Sequence, residues 1–323
     1  MSASFFWTLP VESGEREPAR KRAFARELRD ERRDRFTYYD YLLQVARATE
    51  SAGFAGAFVP WSERGDDSWI VAASLAREVR RLTFLPELEP GFTTPVYLAK
   101  LSSSFQRLSG DRLAWKIDLE RNPAIRRAHG DIVEGADWFA RADEFVAAAK
   151  GTLSRESFDF EGRFFAVEKG GLKGPLAGRP LPQIYTAGRS EGALAFAAKH
   201  ADVHLLEGTG DELRAQIDEL DRAAARAAES GARLSERPIQ RGLRLEIIAR
   251  HTDEEARQAV TPVKGDPLVG DYATVSRRLD ELARLGIDHF ILGGTPHVEE
   301  ALRIGEHIFP RLTAAARPAV RAA

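Results

Sequence analysis

Three stretches of the chain carry residue types with chemistry to offer. In "YTAGRSEGA" (185–193) a β-prone run breaks at Gly188, and Ser190 stands where it would cap a helix. The free N–H groups and the positive dipole end of a helix start suit a phosphate. Arg189 would add a full charge and a fork of donors. Gly188, Arg189 and Ser190 are therefore candidate ligands of a phosphate-bearing cofactor, although plain capping by Ser190 explains the same residues. In "LRLEIIA" (243–249) Arg244 and Glu246 alternate with apolar neighbours, and in "LAWKIDLE" (113–120) so do Lys116, Asp118 and Glu120. Alternation puts each set on one strand face. An ionised residue inside a strand points to water or to a partner, and in a barrel also into the mouth. Arg–Glu and Lys–Asp pairing across the mouth is the purely structural alternative. In "HFILGGTPHVEE" (289–300) His297 follows Pro296 at a helix start, where the dipole disfavours imidazolium and leaves a neutral, hydrogen-bonding ring. A metal site built from Asp118, Glu207, Glu246 and His297 is a further alternative. No HExxH, CxxC, GxSxG or Walker-type loop occurs.

The elements that would position these residues are legible from periodicity. Apolar or β-branched runs fall at 4–9, 56–59, 81–88, 113–119, 183–187, 202–206, 243–249 and 289–294. Between most of them lie segments of helical period. Leu42, Val45, Ala46 and Thr49 share one face, as do Leu194, Ala197, Ala198 and Ala201. Further stripes are Leu213, Ile217, Leu220 and Ala224; Val275, Leu279 and Leu282; and Val298, Ala301, Leu302, Gly305 and Ile308. Strand alternating with helix eight times predicts an α/β fold, a closed (β/α)8 barrel. A doubly wound open sheet competes, but "TLPVESG" is not the Gly-rich first turn such sheets carry. In a barrel the active site lies at the C-terminal strand ends, and the residues above all belong there.

Composition narrows the function classes. The chain has 323 residues, 43% hydrophobic and 30% charged, with a formal net charge of −2. That balance gives no reason to expect a nucleic-acid or anionic-membrane partner. No cysteine is present, which removes disulfides, thiolate metal sites and Cys nucleophiles. "MSASFFWTLP" lacks the pattern of a signal peptide, and no apolar run approaches the ~20 residues of a membrane span, so a cytoplasmic protein is expected. Residues 1–323 read as a single domain. Residues 12–36 form an insertion of nine basic and seven acidic residues, read as a solvated segment. Residues 158–168, "FDFEGRFFAVE", read as a hairpin turning at Gly162.

Several of these stretches coincide with one family. "FFWTLP", "GFAGAFVPWSERGDDSWIVAASL" (53–75), "RLTFLPELEPGFTTPVYLAKLSSSFQRLSGDRL" (81–113), the hairpin, "LPQIYTAGRSEGALAFAAKHADVHLLEG" (181–208) and the segment from Leu268 to Pro310 resemble, in order, the bacterial luciferase-like flavin monooxygenases. The resemblance is nearest to the alkanesulfonate monooxygenases that use reduced FMN. It implies a luciferase-like TIM barrel, usually dimeric, in which FMNH2 from a separate flavin reductase and O2 react with a small-molecule substrate at the strand ends. It also implies that Gly188, Arg189, Ser190 and Lys116 contact the cofactor, and that Arg244, Glu246 and His297 face the oxygen chemistry.

The same comparison exposes departures at the site. The family's Asn on the fourth strand is Lys116, its Arg-Pro is Glu89-Pro90, and its Arg-Tyr pair is Trp138-Phe139. Its Gly-Gly-Ser-Ser is Ala187-Gly188-Arg189-Ser190, its Trp after the sixth strand is Glu207, and its seventh-strand His is Glu246. The Tyr before Pro-His is Thr295, while Arg244 and His297 persist, and the lid insertion has shrunk to about 258–267. Glu89, Asp118, Glu120, Glu207 and Glu246 are thus expected near the mouth, facing Lys116, Arg189 and Arg244. Uncompensated carboxylates would repel an anionic flavin or a sulfonate. Three readings follow: a monooxygenase for a non-sulfonate substrate, a non-catalytic partner subunit of a heteromeric enzyme, and a barrel for the deazaflavin coenzyme.

Overall fold

All eight apolar runs become strands, and hydrogen bonding joins the last of them back to the first. The computed structural model describes residues 3–12, 37–235, 237–260, 267–313 and 316. The first half holds β1 (Ser4–Thr8), α1 (Tyr38–Ser51), β2 (Gly56–Val59), α2 (Ser68–Ala76), β3 (Thr83–Leu88), α3 (Pro95–Ser109), β4 (Ala114–Ile117), α4 (Pro123–Ala128) and α5 (Ala136–Ser154). A hairpin follows, β5 (Phe158–Glu161) and β6 (Ala166–Gly170), and then β7 (Gln183–Ala187), α6 (Glu191–His200), β8 (Val203–Leu206) and α7 (Gly210–Glu229). The chain continues through β9 (Gln240–Arg250), α8 (Asp253–Gln258), β10 (Leu268–Asp271), α9 (Tyr272–Arg284), β11 (Ile287–Gly293) and α10 (His297–Arg303). Apart from Glu12, the charged insertion lies outside the described residues, as do residues 261–266 of the shortened lid segment.

Strands β1, β2, β3, β4, β7, β8, β9 and β11 pair in that order, all parallel, and β11 returns to β1. This is the expected closed barrel, and the open-sheet alternative falls. The hairpin also forms, with Gly162 N–H bonded to Phe165 O at its turn. Strand β10 is an addition that alternation does not anticipate. It pairs with the upper half of β9, from Leu268 against Ile247 to Asp271 against Arg250, so β9 outgrows the barrel wall.

A closed barrel buries both strand faces, which is why its strands read as nearly continuous apolar runs. Phe6, Phe58, Leu85, Tyr185, Leu205 and Ile291 fill the lumen as one cluster. Their alternating neighbours, among them Phe5, Trp7, Phe84, Trp115 and Phe290, pack outward against the helices. Gly56 is required where it stands, because a Cβ there would lie 2.3 Å from the Phe6 ring and 2.4 Å from Thr83 O. The helical stripes are buried largely as expected. The exceptions are that Ala223 rather than Ala224 is covered on α7, and that Leu302 is 42% exposed while Ala301, Ile304 and Ile308 are covered.

Candidate active site

Above the apolar floor of the lumen the inward positions turn polar, as period two dictates: Thr8 after Phe6, Glu87 after Leu85, Lys116 after Ala114. Lys116 and Glu87 are register partners on β4 and β3, and their charged groups meet at 3.1 Å with side chains only 7% and 13% exposed. The second Glu87 oxygen accepts the Trp61 N–H at 2.8 Å. The expected Lys–Asp pairing is therefore corrected. Asp118 turns instead to Arg121, at 2.7 Å, because the chain leaves the strand after Ile117.

Arg244 reaches across the lumen from β9 until its guanidinium lies 5.4 Å from the Phe58 ring on β2. Among the described residues it makes no hydrogen bond or ion pair, and it is exposed to the open mouth. The expected Arg–Glu pair does not form. Glu246, on the same face, lies over Gly293, its register partner on β11, where a Cβ would stand 2.3 Å from Glu246 Oε1. Burial raises the Glu246 carboxyl above its ordinary range, with only partial opposition from Arg244. Among the described residues, the buried Thr8 hydroxyl on β1 has no hydrogen-bond partner.

The turn after β7 has the anticipated geometry. Gly188 takes φ +120°, a conformation that side chains disfavour, and Ser190 caps α6 by accepting from Ala193 N–H. Two of its main-chain donors, however, are engaged by the protein itself. Glu120 accepts the Arg189 N–H at 3.1 and 3.2 Å and the Ser190 N–H at 2.9 Å. The Arg189 side chain is drawn away to Glu212, at 2.6 Å.

Sequence reasoning missed a residue behind this turn. His204 on β8 is 1% exposed, and its ring nitrogens lie 2.9 Å from Thr186 Oγ1 and 3.1 Å from Gly188 O. Burial depresses its pKa to about 4. The neutral ring thus donates from Nε2 to the Gly188 carbonyl and accepts the threonine proton at Nδ1. The only signal was a histidine inside the run "DVHLL" (202–206), which alternation assigns merely to a face.

The loops above β3 and β4 are locked by a second charge network. Glu89, expected at the mouth, is instead 3% exposed beneath Arg121, at 2.5 Å, and Arg126, at 3.9 Å. Its carboxyl is pushed up to about 7, chiefly by burial, with Asp118 adding to the rise. Arg126 and Arg141 flank the Trp138 ring at 4.4 and 4.9 Å and share Asp131. Arg121 lies 3.8 Å over Trp61. Trp138 donates to Leu119 O at 3.0 Å, so the loop carrying Glu120 is fixed from both sides.

His297 opens α10 as expected, after a cis Thr295–Pro296 bond, and its Nδ1 lies 3.0 Å from the Tyr41 hydroxyl on α1. Gly188 and His297 follow the C-terminal ends of β7 and β11, and Arg244 lies within β9 level with Ile291, two residues short of the end of β11, so all three are toward one end of the barrel. Asp118, Glu207, Glu246 and His297 do not gather into a metal-binding group among the described residues.

Comparison with known proteins agrees with this architecture. Residues 5–316 match the family model described as luciferase-like monooxygenase. Among solved structures, the chain is similar to a riboflavin lyase (RcaE) with modified FMN and substrate riboflavin. The two share 17% identity and a TM-score of 0.75, over 99% of this chain and 94% of that one. It is similar also to a long-chain alkane monooxygenase (LadA), at 18% identity and TM-score 0.76, over 99% and 93%. A third is the coenzyme F420 dependent tetrahydromethanopterin reductase of Methanopyrus kandleri, at 12% identity and TM-score 0.74, over 97% and 100%.

Proposed function

As the chain belongs to the luciferase-like monooxygenase family, we propose that it is a flavin-dependent monooxygenase acting with O2 on a small, uncharged organic substrate that lacks a sulfonate. The observation that carries this reading is Arg244: a guanidinium with no hydrogen bond or ion pair among the described residues, on an apolar floor, next to the half-buried Glu246 carboxyl. A guanidinium fixed there offers donors to negative charge as it develops on a bound molecule that displaces water from the mouth. Arg244 would face that charge. Glu246, held toward its protonated form, would keep or deliver a proton at its carboxyl oxygen. His297, tied to Tyr41, would line the same rim. Of Lys116, Arg189 and Arg244, a sulfonate or carboxylate substrate would find Arg244 alone uncommitted among the described residues, since Lys116 and Arg189 already have carboxylate partners.

The cofactor in this reading is reduced FMN supplied by a separate reductase, which brings the electrons for O2 activation when bound. The Arg189 and Ser190 N–H groups are the right donors for its phosphate, and Lys116 lies lower in the lumen. The fit is incomplete, because Glu120 holds those donors and a phosphate enters only in exchange for that carboxylate. The deazaflavin coenzyme is a weaker reading, because the matching stretches resemble the FMN-using branch. The occupied turn favours a second reading, a partner subunit that kept the barrel and gave up flavin binding. We place the protein in the cytoplasm, as a homodimer or paired with a luciferase-like subunit.

Anaerobic titration with photoreduced FMN separates the two. Saturable binding by the lone chain supports the enzyme. Binding that appears only on co-expression with a luciferase-like neighbour supports the partner subunit.

A further inference from the structure

Building on the flavin reading of this barrel mouth, we propose that Glu120 is a resident anion of the turn at the start of α6, and that it sets the protein's selectivity against the phosphate of a flavin mononucleotide. The carboxylate takes three N–H···O contacts from the Arg189 and Ser190 main chain. It sits so close over Gly188 that a Cβ there would lie 2.6 Å from Glu120 Cδ. These bonds are not helix capping, which Ser190 Oγ already provides at Ala193 N–H. They use the N–H groups of the cap residue and of the residue before it, donors open to an incoming anion once the carboxylate leaves.

Three further contacts hold the arrangement. The Glu120 N–H donates to Asp118 Oδ1 at 3.2 Å, Leu119 O accepts from Trp138, and the Gly188 carbonyl is held by His204. Meanwhile Glu212 engages the one side chain that could compensate, that of Arg189. The Arg189 and Ser190 N–H groups and the Arg189 side chain thus end on carboxylates of the chain itself.

A tethered competitor lowers the affinity of a rival anion by the fraction of time the turn stands vacant. If Glu120 holds the turn nine-tenths of the time, a phosphate binds about ten-fold more weakly there, equivalent to about 1.4 kcal/mol. A flavin without the phosphate has nothing to exchange and escapes this penalty. Glu120 is therefore a specificity residue that makes FMN and riboflavin nearly equivalent ligands.

The test is quenching of flavin fluorescence by wild type, Glu120→Ala and Glu120→Gln, with oxidised FMN and with riboflavin. Wild type is expected to bind the two within about three-fold of each other. In Glu120→Ala, FMN should bind at least ten-fold tighter than in wild type while riboflavin stays within two-fold. Glu120→Gln, which keeps an acceptor but loses the charge, should fall between and guards against misfolding of the first variant. A wild type that prefers FMN ten-fold or more, or an unchanged ratio in both variants, overturns the proposal. Failure of the flavin reading itself would show as no flavin bound by any of the three. Thermal unfolding in millimolar inorganic phosphate against chloride of equal ionic strength then decides. A stabilisation of Glu120→Ala absent from wild type supports Glu120 as occupant, and equal shifts discard it.

Discussion

Removing the Glu87 carboxylate isolates the electrostatics of the lumen. Glu87→Ala leaves Lys116 Nζ without the oxygen 3.1 Å away, in a position where its side chain is 7% exposed. At an effective dielectric constant of about 20, two charges at that distance attract by roughly 5 kcal/mol. Breaking a buried pair by deleting one partner is typically found to cost about 3–5 kcal/mol. The Trp61 N–H also loses its acceptor, adding about 1 kcal/mol. Against this, Lys116 keeps its contact to Ile117 O at 3.3 Å and can lean toward water at the mouth. A loss of about 3 kcal/mol is therefore expected, read by urea unfolding followed through tryptophan fluorescence. Glu87→Ala with Lys116→Met should recover most of the loss. A single variant that costs less than about 1 kcal/mol, or a double variant no more stable than the single, would refute the reasoning.

Arg244→Met should weaken binding of reduced FMN by about ten-fold or more, a charged contact being worth about 1.5–3 kcal/mol, with thermal stability unchanged because the guanidinium has no ion pair among the described residues. Anaerobic titration checks it, and equal affinity removes Arg244 from the site. Acid should destabilise the fold between about pH 6.5 and 4, because buried His204 and His289, both lowered to about 4, refuse protons that the unfolded chain accepts. Glu89, raised to about 7, works the other way, since its folded form binds the extra proton, as do the upward-shifted Glu246 and Glu300; the two histidines supply a slope of about 2.7 kcal/mol per pH unit that these carboxyls oppose. Replacing both histidines with Gln should flatten that limb in pH-dependent urea unfolding, and an unchanged slope would count against their buried neutral state. Gly56→Ala should cost roughly 2–3 kcal/mol, since the added carbon meets backbone as well as the Phe6 ring; an unfolding midpoint equal to wild type would show that the barrel wall gives way freely.

The barrel was legible because its signal is local. A strand buried on both faces must be apolar along its length, and each of the eight runs declared itself within four to eight residues. Strand β10 escaped because "LVGD" (268–271) is short, half polar and attached to β9 beyond the barrel wall. At the site, period two correctly put Lys116, Arg244 and Glu246 on inward faces. What it could not supply was partners. Lys116 and Glu87 lie 29 positions apart, and Glu120 meets Arg189 across 69, separations that closure of the sheet decides and alternation does not register. Assigning Lys116 to Asp118 was the natural local guess, and it failed because the strand ends between them. His204 was invisible for a related reason: its neutral state follows from burial and from two acceptor and donor atoms on another strand.

The rim follows one rule. At four places where a cation or main-chain N–H groups could receive an anion, a carboxylate from a neighbouring strand, loop or helix has already arrived: Glu87 at Lys116, Glu120 at residues 189 and 190, Glu212 at Arg189, and Glu89 between Arg121 and Arg126. A pocket that carries its own counter-ions gains little Coulomb energy from an anionic ligand, because each new attraction requires an old one to be given up first. Its discrimination then rests on shape and on whatever charge is left unmatched. Among the described residues of the lumen, that charge is Arg244, set on an aromatic floor with a carboxyl that burial tilts toward neutrality. Such a site holds a neutral molecule without electrostatic penalty and rewards it only when negative charge develops on it, which is the condition under which binding energy serves reaction rather than mere affinity.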